Sequence, residues 1–103
     1  MERLCFFIEL EDGAEPEYER RHDELWPEMR EALIVAGYTN YSLFRRGSTV
    51  VGYAECVPDV ATVLRKINAT PVTERWNQSL HGVIKRLADQ DGNLIRAHEV
   101  WHL

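Results

Sequence analysis

The chain has 103 residues, 45% hydrophobic and 28% charged, with a formal net charge of −5. That length suits one domain, residues 1–103, with a core of modest size. The acid excess excludes nucleic acid as a partner, since Arg20-Arg21 and Arg45-Arg46 are too short to neutralise a phosphate backbone, and no apolar run is long enough to span a membrane.

Arg3–Leu10 (RLCFFIEL) is rich in aromatic and branched residues and predicts a strand, which runs straight into EDGAE and has no signal-peptide form. Pro16 fits the first turn of a helix, where its missing N–H costs nothing. That helix extends toward Gly37, a C-terminal stop, with a kink or restart at Trp26-Pro27. Thr39–Phe44 and Thr49–Cys56 predict a hairpin around Arg45-Arg46-Gly47-Ser48. Val57-Pro58-Asp59 opens a short helix through Ile67, with Val60, Val63, Leu64 and Ile67 inward. Thr70-Pro71 repeats the start signal, a hydroxyl N-cap before proline. Val72, Trp76, Leu80, Val83 and Leu87 then recur at helical spacing, predicting a helix that reaches Leu87. Asp89–Asn93 is a polar loop, and Leu94–Leu103 predicts a closing strand.

The order βαββαβ, with its second helical region broken in two, is that of a ferredoxin-like antiparallel sheet with helices on one face. In the first strand Cys5, Phe7 and Glu9 alternate with Leu4, Phe6, Ile8 and Leu10, so both faces are largely apolar. The face away from the helices then needs cover, and a second copy supplies it; the expectation is a homodimer. Cys5 and Cys56 lie in apolar strands and read as free thiols of a cytoplasmic protein, not a disulfide or a zinc site.

The first helix poses the chemical question. Tyr18, His22, Leu25, Met29 and Leu33 share one stripe, so the face that turns to the sheet opens with two proton-carrying groups. By itself this is equally a core histidine satisfied by a carbonyl. Tyr41 on the second strand and Trp76 and Asn77 on the later helix can converge on the same interface, and aromatic walls with a few polar groups suit a small ligand such as a sugar. Glu99 faces inward if Ile95 and Trp101 do, by period two; the alternative is an ion pair with an arginine such as Arg21 or with a partner subunit. His81, His98 and His102 read as surface residues.

The element Tyr18-Glu19-Arg20-Arg21-His22, then Trp26-Pro27-Glu28, Gly37, Asn40-Tyr41 and Arg75-Trp76, resembles the L-rhamnose mutarotase family, over most of the chain to Glu99-Val100-Trp101. The resemblance implies a dimeric α+β barrel of ferredoxin-like subunits that interconverts the α and β anomers of L-rhamnose without cofactor or metal. It implies that His22 is the proton donor and that Tyr18, Tyr41 and Trp76 bind sugar. The family's second tryptophan is Asn77 here, an amide with two donors and an acceptor in place of an apolar wall, and Asn77 is expected to touch the sugar. Histidine serves as acid or base near neutrality. The partner base stays open between Tyr18, Glu99 and water. Rival readings of the same barrel are a ligand-binding module without turnover and a cofactor-free monooxygenase.

Overall fold

Alternation along the first strand decides which way the sheet faces. In the computed structural model, which describes residues 1–103, β1 (Glu2–Leu10) buries Leu4, Phe6, Ile8 and Leu10, while Arg3, Cys5, Phe7 and Glu9 stay half-buried apart from the core. Full burial of each such large apolar side chain is worth about 1.5–3 kcal/mol, so the even positions fix the core side. β1 pairs antiparallel with β3 (Thr49–Cys56), whose Val50, Ala54 and Cys56 are buried on the same side. β3 pairs in turn with β2 (Tyr38–Arg46), and β1 with the short β4 (Ile84–Arg86) and β5 (Arg96–Ala97). The order β2-β3-β1-β4 is the ferredoxin-like one, as the sequence predicts.

The helices α1 (Glu15–Asp23), α2 (Pro27–Ala36), α3 (Val60–Asn68) and α4 (Pro71–Ser79) cover the buried face. The long first helix restarts at Pro27, as Trp26-Pro27 signals, and Gly37 closes α2 at φ 113°. No other residue fits at Gly37, because a Cβ there would lie 2.1 Å from the Val57 carbonyl oxygen. Asp59 caps α3 by accepting from the Thr62 N–H at 2.7 Å. Thr70 holds the N-cap position of α4, but its hydroxyl donates to the Lys66 carbonyl instead of capping.

Two expectations fail in the last third of the chain. The helix does not reach Leu87: α4 ends at Ser79, Gly82 turns the chain at φ 83°, and Val83 is buried ahead of β4. The closing strand is only Arg96–Ala97 long, and residues 98–103 are exposed and irregular, with Trp101 74% exposed. Cys5 and Cys56 are free and sit on opposite faces of adjacent strands, which rules out a bridge between them. No helix is long and apolar enough to cross a membrane.

Candidate active site

The helices do not close completely on the sheet, and a cavity of about 410 Å³ remains between them. That is within the size range of small-ligand clefts, ~300–1,000 Å³. Tyr18, His22, Tyr41, Trp76 and Asn77, the five residues singled out in the sequence, all line it. None of its lining side chains is a carboxylate.

His22 is carried on the last turn of α1. Arg21, next to it, donates to the Glu17 carboxylate at 2.6 Å and to the carbonyl of Ser79 at the end of α4. Arg45 of β2 reaches Glu19 at 2.6 Å. α1 is thereby tied to both α4 and the sheet edge. The Nδ1 of His22 is 2.9 Å from the carbonyl oxygen of Tyr18. A carbonyl only accepts, so Nδ1 carries the hydrogen and Nε2 of the neutral ring is left with its lone pair free. Burial of the half-exposed ring lowers its pKa, against the smaller opposing pulls of the Tyr18 carbonyl and the nearby Asp23 carboxylate. Desolvation wins, and the resting ring is neutral at pH 7.

Aromatic rings surround it. His22 lies against Tyr18 at 4.3 Å between centroids and meets Trp76 edge-on at 5.4 Å. Trp26 stands edge-on to Trp76 at 5.2 Å. A second group sits on the strands, where Tyr38 stacks on Tyr41 at 5.1 Å and Phe6 meets Tyr41 at 6.2 Å. Phe6 lies directly over Gly52 of β3, where a Cβ would fall 2.2 Å from the ring.

The backbone that aims Tyr41 is unusual. Strict alternation from Tyr38, which pairs with Cys56, would turn Tyr41 to the outer face. Between Thr39 and Ser42 the register slips, and Asn40 takes a left-handed φ of 45°. The extra residue returns Tyr41 to the cavity side beside Tyr38. Asparagine tolerates this conformation, and its amide donates to the Glu55 carboxylate at 3.0 Å.

The tyrosines are held protonated. Desolvation pushes Tyr18 and Tyr38 up to about 12. Tyr41 is 37% exposed as a residue, but desolvation at its hydroxyl end, helped by Tyr38 and Tyr18, pushes it higher still.

Glu99 is not in the cavity. It is an exposed residue whose carboxylate accepts from the Arg3 Nε at 2.7 Å, because the strand meant to turn it inward is not formed there. The ion pair foreseen for it exists, with Arg3 in place of Arg21. His81, His98 and His102 are exposed, as expected. Sequence reasoning missed Tyr38, placed outside the strand, and treated Trp26 only as part of the helix break. It also passed over Thr73 on α4, a cavity residue 7% exposed whose hydroxyl has no hydrogen-bond partner. No three His, Cys, Asp or Glu side chains converge to hold a metal ion.

Comparisons with known proteins converge on one group. The family model described as L-rhamnose mutarotase matches residues 3–103. An L-rhamnose mutarotase of Listeria monocytogenes is 36% identical, over 100% of this chain and 99% of its own. One of Bacillus subtilis is 32% identical over the same shares. Among solved structures, an L-rhamnose mutarotase of Formosa agariphila superposes with a TM-score of 0.79 at 25% identity, covering 100% of this chain and 99% of its own. The tetracenomycin F2 cyclase of Streptomyces glaucescens, 14% identical with a TM-score of 0.71 over 98% and 95% of the two chains, shares the fold alone. With the family model matched from the first strand to the last residue, the chain belongs to the L-rhamnose mutarotase family.

Proposed function

We propose that this protein is an L-rhamnose mutarotase, an isomerase that opens the pyranose ring and recloses it on the other face of the carbonyl. The observation that carries the mechanism is the contact of His22 Nδ1 with the Tyr18 carbonyl, which leaves Nε2 as the basic nitrogen, in a cavity without carboxylates. Tyr18, whose hydroxyl burial pushes up to about 12, stays protonated at neutral pH and is no base. His22 is therefore the base in the resting state. Its Nε2 takes the proton from the anomeric O1, the C1–O5 bond breaks, and C1 becomes a carbonyl carbon. The imidazolium then returns the proton to O5. O1 and O5 sit on one carbon, so one ring serves both without moving far. Rotation about C1–C2 and the reverse steps give the other anomer. The donor named by the family resemblance is thus reached second, after His22 has acted as acceptor.

Trp76 offers a stacking face to the sugar's C–H groups, and the hydroxyls of Tyr18 and Tyr41, held protonated, serve as donors to it. Asn77 at the exposed rim of α4 adds amide hydrogen bonding where the family typically stacks. Residues 1–103 act as one catalytic domain. The half-buried outer sheet face, with Cys5, Phe7, Val51 and Tyr53 and with Phe44 62% exposed beside them, supports a homodimer paired through that face. Two free thiols suit the reducing cytoplasm. Saturation-transfer NMR on α/β-L-rhamnose tests the function: anomer exchange well above the buffer rate is expected, and exchange at the buffer rate would refute it.

A further inference from the structure

The geometry points to Thr73 as a specificity-determining residue that hydrogen-bonds a hydroxyl of the sugar remote from C1. The inference rests on the mutarotase reading of the same cavity. Thr73 is one of three buried residues of α4, with Val72 and Trp76, and it lines the cavity. Its hydroxyl is the sole buried side-chain polar atom in the chain without a hydrogen-bond partner. Packing alone does not explain it, because valine would fill nearly the same space without leaving a buried hydroxyl unpaired. A helical threonine divides between two χ1 rotamers, so its hydroxyl has two directions open to it. The hydroxyl can therefore be presented to whatever occupies the cavity.

Position along α4 sets what Thr73 reads. Thr73 precedes Trp76 by three residues, about 4.5 Å along the helix axis, which is close to the span of a sugar ring. His22 stands against Trp76. A pyranose with C1 at His22 and its ring over Trp76 thus extends its far hydroxyls toward Thr73. Asn77 lies one turn on from Thr73, and Asn68 and Asn93 line the same cavity, so Thr73 shares it with three amides suited to hydroxyl recognition.

The test compares Thr73→Val with Thr73→Ser, using anomer-exchange kinetics against L-rhamnose and its 2-, 3- and 4-deoxy analogues, with thermal unfolding alongside. Absence of exchange in the unmodified protein would refute the mutarotase reading itself, before Thr73 is at issue. Given an active protein, Thr73→Val is expected to raise KM about three- to tenfold with kcat held and Tm not lowered, the range of one neutral hydrogen bond. Thr73→Ser is expected to keep the original KM, and the valine penalty is expected to vanish for one deoxy analogue alone. An unchanged KM in Thr73→Val, a lowered Tm, failure of serine to rescue, or an equal penalty on every analogue would overturn the assignment.

Discussion

His22 is hydrogen-bonded through Nδ1 to the main-chain carbonyl of Tyr18, one turn earlier on the same helix. The backbone thus fixes the tautomer, so the lone pair on Nε2 does not depend on any other side chain. His22→Gln keeps an amide in the position but no basic nitrogen. It is expected to slow exchange by about 10²–10⁴-fold, the usual worth of a positioned acid or base, with the circular-dichroism spectrum unchanged. Exchange at the original rate would take His22 out of the mechanism.

The lowered pKa of His22 gives the pH profile a sign. In the proposed mechanism the neutral ring is the active form, so exchange is expected to hold level through neutrality and fall only in acid. Its midpoint should lie below the ordinary histidine value of about 6.5. Stability should follow the same direction. In the unfolded chain His22 binds a proton more readily, so its contribution is whole above about 6.5 and is lost as pH falls through the folded-state value. Rate and denaturant-unfolding profiles between acid and neutral pH check both, and a rate that rises in acid would contradict the assignment.

Asn40 decides where Tyr41 points. Asn40→Gly keeps the left-handed turn and is expected to leave exchange within a few-fold of the original. Asn40→Val, also without the amide bond to Glu55, faces roughly 1–2 kcal/mol of backbone strain and is expected to drive the strand back to simple alternation. Tyr41 would then leave the cavity, and KM for rhamnose should rise. Equal kinetics in the two variants would mean that the bulge does not govern the site.

Light scattering is expected to give the mass of two chains. Phe44→Glu places a charge on the outer face of β2, opposite Val51, and should shift the mass toward one chain. A single-chain mass for the unmodified protein at micromolar concentration would contradict the dimer.

The first two thirds of the fold are legible because each signal has one meaning. Alternation in RLCFFIEL, the Trp26-Pro27 break and the helix opening after Val57-Pro58-Asp59 all form as read. The last third misleads for a physical reason. Leu80, Val83 and Leu87 fit helical spacing, yet Gly82 breaks the helix, and Leu80 and Val83 pack from a turn and Leu87 from the bend after β4 instead. Of the two readings of Glu99, the ion pair with an arginine is the one that forms, because the closing strand ends at Ala97. At the site, His22, Tyr18 and Trp76 follow from helical periodicity. Tyr38 and Tyr41 do not share a face under strict alternation, so their stacking was hidden until the bulge at Asn40 was seen.

Phe6 rests on bare backbone at Gly52. The floor of the cavity is therefore as low as a phenyl ring can sit, and its depth is set from a neighbouring strand by a missing methyl group. Even alanine at that position would jack the ring upward into the lumen and, through its edge contact, tilt Tyr41 with it. What the cavity admits is thus adjustable from beneath, by a residue outside its lining.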